Sequence, residues 1–279
     1  MLDEIRNAHG ERLDYSFHPA DSAPSERTSD AVAVLGHGVT GNKDRPFLVT
    51  LAEGLAAAGI DTIRFSFSGN GKSEGDFRQA TITREIADLG AVLDAIAAIA
   101  AIAAENADRP ICYIGHSMGG AVGILRAARD RRVRWLVSLA GMVHTRAFAD
   151  REFGDVTPGQ GFMWDEPDCP LSQIFIDDMH RIDSVLGPAG EIAVPWLLVH
   201  GTDDDVVPIQ DSFDVISKAG DPKPRFRPEF GTYAEAGREL GVPLRNLVRI
   251  EAANHIFGDE AAPEMVTTVV DWVVKQTRM

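Results

Sequence analysis

At 279 residues the chain can bury a large core, and it falls within the range of a single α/β unit. Its 44% hydrophobic and 25% charged residues are those of a folded globular protein, which excludes disordered and fibrous classes. A formal net charge of −15, from 27 basic against 42 acidic side chains, repels phosphate backbones and anionic lipid, so neither nucleic acid nor a membrane is an expected partner.

Met1-Leu2-Asp3-Glu4 has neither a basic region nor an apolar stretch, so no secretory signal is expected and the reading is cytoplasmic. Glu4 to Phe17, turning at His9-Gly10, reads as an antiparallel hairpin. The apolar run Ala31 to Leu35 ends in Gly36-His37-Gly38, and Pro46 to Ala58 is helical. Ile60 to Phe67, β-branched and aromatic, ends at Ser68-Gly69-Asn70-Gly71. In Thr83 to Glu105 the residues Ile86, Leu89, Leu93, Ile96, Ile99 and Ile102 recur at spacings of three and four, which puts them on one face of a long helix. Its most apolar part, Ala95 to Ala104, is far short of the roughly 20 residues that span a bilayer.

Further short apolar runs follow at Ile111 to Ile114, Val133 to Leu139, Trp196 to Val199 and Leu247 to Ile250, with helices at Met118 to Arg129 and Pro263 to Lys275. Runs of this kind are strands buried on both faces of a parallel sheet. Their alternation with helices predicts an α/β protein with a mostly parallel central sheet and helices on both faces. Two stretches break the rhythm. Met142 to Ala193, rich in Phe, Trp, Met and acids and helical around Leu171 to Val185, is too long for an ordinary connection. Ala219 to Asn246 carries Pro222, Pro224, Pro228 and Pro243 beside Arg225 and Arg227 and has no assigned role. The expected division is a core of residues 1–141 and 194–279 with an insertion at 142–193.

The strongest local signal is Gly115-His116-Ser117-Met118-Gly119, which fits G-x-S-x-G between a strand and a helix. Flanking glycines allow the sharp turn that lifts the serine hydroxyl above the sheet edge, and the helix N-terminus favours developing negative charge. Such a nucleophile needs a base, and the base needs an orienting carboxylate. Asp204 lies just past the Trp196 to Val199 run, with Asp203 and Asp205 as competitors. Among eight histidines, His255 alone follows a strand downstream of both other members. The order Ser117, Asp204, His255 is that of a serine triad on an α/β sheet. Two backbone N–H groups should cradle the oxyanion, one from Met118 and one from Val39 in the glycine-rich loop after the first buried strand. His116 should point away from the serine hydroxyl. Gly69-Asn70-Gly71-Lys72-Ser73 is too short for a phosphate-binding loop. The histidines and acids lack metal-ligand spacings such as H-E-x-x-H, so no metal or cofactor is expected. Cys112 and Cys169 are too few for a disulfide framework, and Cys112 reads as a small buried thiol.

Five motifs, H-G-V-T-G-N-K-D, F-S-G-N-G-K-S-E-G, G-H-S-M-G-G, H-G-T-D-D-D-V-V-P and N-H-I-F, stand in the order found in the α/β-hydrolase superfamily. Within it they are similar to bacterial esterases of the cinnamoyl/feruloyl-esterase-like group. The resemblance implies a serine carboxylesterase, a small-molecule ester substrate and a cap formed by Met142 to Ala193. Val39 stands where that group usually carries a phenylalanine lining the acyl pocket. In the insertion, Phe162, Trp164 and Phe175 are the expected substrate-lining residues, alongside the apolar Phe148, Phe153, Met163, Ile174 and Met179. The same triad also serves an acyl-CoA thioesterase, an acyltransferase or a peptidase-like enzyme, and a non-catalytic binding protein on the same scaffold is the reading from a different class. The oligomeric state, with a homodimer among the options, stays open.

Overall fold

The computed structural model describes residues 4–21, 30–102, 109–218, 245–258 and 260–278. The excursion at 219–246, with Arg225 and Arg227, lies outside the described residues except for its last two, Arg245 and Asn246.

The chain opens with two short antiparallel strands, β1 (Ile5–Arg6) and β2 (Arg12–Leu13), which pair only with each other. The expected hairpin is therefore shorter than Glu4 to Phe17. Its last residues instead form β3 (Tyr15–His18), which pairs antiparallel with β5 (Asp61–Phe65) at the edge of the main sheet. The remaining strands are β4 (Val32–Gly36), β6 (Ile111–His116), β7 (Val133–Leu139), β8 (Trp196–Gly201) and β9 (Arg245–Ile250). All of them run parallel, in the spatial order β3-β5-β4-β6-β7-β8-β9.

The helices divide between the two faces. On one face lie α1 (Pro46–Ala57) and α8 (Ala262–Thr277), packing through Leu48, Leu51, Leu55, Met265, Val269 and Val273. On the other lie α2 (Ile82–Ile102), α3 (Met118–Ala127), α6 (Leu186–Ala189) and α7 (Gln210–Lys218). Every residue of β4 and β6 is buried, as the unbroken apolar runs require when both faces of a sheet are covered. Pro46 at the start of α1 presets the helical φ and spares a backbone donor that would have no partner there. None of the described helices is long and apolar enough to cross a membrane.

Residues 142–193 leave the sheet after β7 and return at β8. They contain α4 (Thr145–Phe153), a 3₁₀ turn at Met163–Asp165, α5 (Gln173–Ile182) and α6. Ser172 caps α5 by accepting from the Phe175 N–H at 3.3 Å, in keeping with the preference for serine there. Phe148, Phe153 and Phe175 pack edge to face at ring separations of 6.0 Å. Burying each of these rings contributes roughly 1.5–3 kcal/mol, and they join the apolar core on the α2 and α3 face of the sheet, which anchors the insertion there.

The strand order reverses direction between β4 and β6: β5 was added on one side of β4, and β6 begins the growth on the other. At such a switch point the loops leaving the two strands diverge and open a crevice. Gly36 lies abreast of Gly115 in the register, so both loops start at the same level of the sheet.

Candidate active site

Ser117 closes the sharp turn between β6 and α3 with φ 53° and ψ −119°, a conformation rarely adopted outside glycine. The glycines around it explain how this backbone fits. A Cβ on Gly115 would lie 2.2 Å from the Gly119 carbonyl oxygen, and one on Gly119 would lie 2.6 Å from the His37 carbonyl oxygen. Gly38 faces Ser117 so closely that a Cβ there would meet the serine Cβ at 2.7 Å and its Oγ at 3.2 Å. The backbone of Ser117 is fixed at both ends: its N–H donates to Leu139 O at 2.9 Å, and its carbonyl accepts from Gly120 and Met142. Although Ser117 sits at the N-cap of α3, its side chain makes no capping bond. The hydroxyl that serine normally spends on a helix end is free for another partner.

The oxyanion candidates are Met118, the first residue of α3, and Val39, in the loop after β4. Neither backbone N–H donates to an acceptor among the described residues. The Val39 loop is shaped by Thr40, at φ 54°, and by a turn in which Gly41 N–H donates to Gly38 O at 3.0 Å. His37 ties this loop to the segment just past β5. Its Nε2 accepts from the Phe67 N–H at 3.0 Å, so Nδ1 carries the proton and donates to Gly38 O at 2.8 Å. Burial pushes the His37 pKa down to about 4, which keeps the ring neutral.

His255, in the loop after β9, places Nδ1 2.9 Å from Asp204 Oδ2. Among the described residues nothing engages its Nε2. Asp204 follows β8 and is fully enclosed. Its Oδ1 accepts from the Val206 N–H at 3.0 Å and the Val207 N–H at 2.8 Å. Burial by itself would raise this carboxyl, but hydrogen bonds from His200, His255 and Val207 outweigh it and hold Asp204 well below the usual carboxylate range. Asp203 and Asp205 are exposed, so of the three neighbouring acids only Asp204 reaches the histidine.

Three further contacts were not apparent in the sequence. His116 is pressed between Phe47 and His255, at ring separations of 4.8 and 4.7 Å, and its Nε2–H donates to the His255 carbonyl at 2.9 Å. Burial drives its pKa down to about 3, so it acts as a neutral donor holding the His255 loop. His200, on β8, contacts the same carboxylate oxygen of Asp204 as His255 does. Ser212, on α7, contacts His200. The only hint in the sequence is that His116 and His200 sit inside the motifs that carry Ser117 and Asp204.

In the insertion, Phe162 and Trp164 are each 41% exposed, whereas Phe175 is 2% exposed and packed against Phe153. Trp164 and Asp165 both take positive φ, at 49° and 58°. This turn lays the indole against Phe153 and Phe148, at 5.0 and 6.3 Å, and lets its N–H donate to Glu152 Oε2 at 3.0 Å. Arg151 of α4 donates to the Val206 carbonyl, two residues past Asp204, so the insertion docks directly on the acid loop. Cys112 and Cys169 are unpaired, and burial raises both thiols, Cys169 to about 11. Among the described residues no group of three or more His, Cys, Asp or Glu is arranged to hold a metal ion.

Residues 27–157 match the family model described as serine aminopeptidase, S33. An uncharacterized protein of Escherichia coli O157:H7, YfhR, is 25% identical over 222 residues, covering 79% of this chain and 68% of its own. Among solved structures, Est1E from Butyrivibrio proteoclasticus with bound ferulic acid superposes with a TM-score of 0.73 at 22% identity, over 98% of each chain. Mouse alpha/beta hydrolase domain-containing protein 10 gives 0.68 at 17% identity, over 99% of each chain. With this strand order, and with solved structures superposing over 98–99% of its length, the chain has the α/β-hydrolase fold.

Proposed function

We propose that the protein is a serine hydrolase that cleaves carboxylic esters through an acyl-enzyme, with Ser117 as nucleophile, His255 as base and Asp204 as the orienting acid. The observation that carries this reading is the Asp204–His255 hydrogen bond at 2.9 Å, at the same sheet edge as a strained, uncapped Ser117. His255 Nε2 takes the serine proton as Oγ attacks the ester carbonyl, and Asp204 stabilises the imidazolium that results. The oxyanion lies between the N–H groups of Val39 and Met118. His255 then protonates the leaving alkoxide, and a water activated by the same histidine releases the acid.

The substrate is a small-molecule ester of a small to medium or aromatic acid. Support comes from the likeness to Est1E, whose structure holds ferulic acid, and from the exposed aromatic pair Phe162 and Trp164 on the segment that docks against the acid loop. Residues 142–193 act as a cap over this acyl site. The family description of a serine aminopeptidase makes aminoacyl amides the rival substrates.

The test is a panel of p-nitrophenyl esters from acetyl to palmitoyl, methyl ferulate, an acyl-CoA and aminoacyl p-nitroanilides, run beside Ser117→Ala. The expected result is ester cleavage and fluorophosphonate labelling in the wild type, with losses of roughly 10⁴-fold or more in the variant. Labelling retained by Ser117→Ala, or turnover of the anilides alone, would overturn the assignment.

A further inference from the structure

His200 lies on β8 one residue before the strand ends and is 0% exposed. Its Nε2 is 2.9 Å from the Val207 carbonyl oxygen and 3.2 Å from Asp204 Oδ2. Both neighbours are acceptors, so Nε2 carries the proton. Nδ1 then accepts from the Ser212 hydroxyl at 2.8 Å. The contacts close a ring: His200 holds the Val207 carbonyl and faces the Asp204 carboxylate, while Val207 N–H donates back to Asp204 Oδ1. Asp204 cannot change rotamer without breaking this ring.

We infer that His200 is a positioning residue for the Asp204–His255 pair, fixing the carboxylate and sharing its charge. The inference rests on the reading of Ser117, Asp204 and His255 given above. One carboxylate oxygen, Oδ2, serves two imidazoles, those of His200 at 3.2 Å and His255 at 2.9 Å. A donor facing a carboxylate withdraws part of the charge available to its second partner. Without it, Asp204 holds the His255 imidazolium more firmly and also orients it less well.

His116, the last residue of β6, faces His255 and donates to its carbonyl, and Arg45 contributes a positive field at His116. Asp211, on α7 beside Ser212, lies within the field of His200 and His144. All of these remain in the variants below and so cancel in a comparison with the wild type.

The experiment compares His200→Leu, His200→Gln and Ser212→Ala with the wild type, using p-nitrophenyl acetate from pH 4.5 to 8.5. Rates are normalised to sites titrated by fluorophosphonate, and melting temperatures are recorded. In His200→Leu, kcat should fall about tenfold, the value of one hydrogen bond of about 1.4 kcal/mol, with KM nearly unchanged. The acid limb of kcat/KM should move to higher pH by about half a unit. His200→Gln retains an amide donor and should recover much of the rate and the limb. Ser212→Ala, which frees the ring but leaves β8 untouched, should move both in the same direction by less. A merely structural histidine would lower the melting temperature and leave the limb of the titrated sites in place, and that result would overturn the inference. If His200→Leu does not fold, an unmoved limb in Ser212→Ala overturns it equally. Absence of ester cleavage in the wild type would instead remove the reading of the site itself.

Discussion

Two carboxylates in this protein are shut off from solvent and are treated in opposite ways. Asp204, in the loop after β8, is surrounded by donors: two backbone N–H groups on one oxygen and two imidazoles on the other. Glu85, in the first turn of α2, has an oxygen with no partner among the described residues and two acids, Asp88 and Asp178, for neighbours. The first is held well below the usual carboxylate range and the second is pushed well above it. Burial opposes the charge in both cases. What separates them is the number of donors the surrounding chain supplies, and the loop after β8 supplies them because its backbone turns around the carboxylate. A carboxylate kept charged at that depth is prepared for a task, whereas Glu85 is kept neutral.

The largest effect that tests this contrast is on turnover. Asp204→Asn should leave the fold in place and lower kcat for ester cleavage by about 10⁴-fold, through the wrong tautomer of His255 and an unstabilised imidazolium. Asp203→Asn and Asp205→Asn, on exposed carboxylates, should change it by no more than about threefold. Steady-state kinetics of the three variants decide the matter, and a loss at position 203 that exceeds the one at 204 would break the pairing.

The next effect is on stability. The unfolded chain releases the Glu85 proton above about pH 4.3, while the folded protein retains it. Stability is therefore lost as pH rises from there towards the folded-state pKa, at up to about 1.4 kcal/mol per pH unit. Glu85→Gln has no proton to retain, so its stability relative to the wild type should improve by about 1–3 kcal/mol between pH 5.5 and 7.5. Urea melts at the two pH values measure this, and a difference that stayed constant would show Glu85 to be charged in the folded state.

The same contrast explains how much of the molecule was legible in its sequence. The elbow at Ser117 was visible because its cause is local: Gly115 and Gly119 are needed where backbone passes within van der Waals distance. The strand and helix sequence was visible in apolar runs and periodicity. The partner of β3 was not, because Tyr15 to His18 reads equally well as an arm of a hairpin or as an edge strand, and only the position of β5 decides. Phe175 was expected beside Phe162 and Trp164, yet it points into the core while the other two are exposed, since aromatic character does not distinguish a core face from a pocket wall. His200 and Ser212 escaped notice because their value lies in contacts across a loop and between a strand and α7, four and twelve residues away in sequence.

Asp211 stands between the two extremes and gives the finest test of the comparison. It is buried at the start of α7 and accepts from two backbone N–H groups, those of Val143 at 2.7 Å and His144 at 3.2 Å, both on Oδ2. Burial still outweighs these bonds and raises its pKa, so two backbone donors fall short of what two backbone donors and two imidazoles accomplish at Asp204. Here the chain needs an acceptor more than a charge. Asp211→Asn preserves an oxygen where both bonds land and removes the buried charge. It should be within about 0.5 kcal/mol of the wild type at neutral pH, and on the stable side if it differs, because the wild-type carboxyl loses stability as pH rises through its raised pKa. Asp211→Ala leaves the Val143 and His144 N–H groups unpaired at the first turn out of β7 and should cost about 1 kcal/mol. Chemical denaturation of both variants separates the two contributions. If asparagine proved as damaging as alanine, the charge itself would be required, and Asp211 would belong with Asp204 as a carboxylate the fold works to keep ionised.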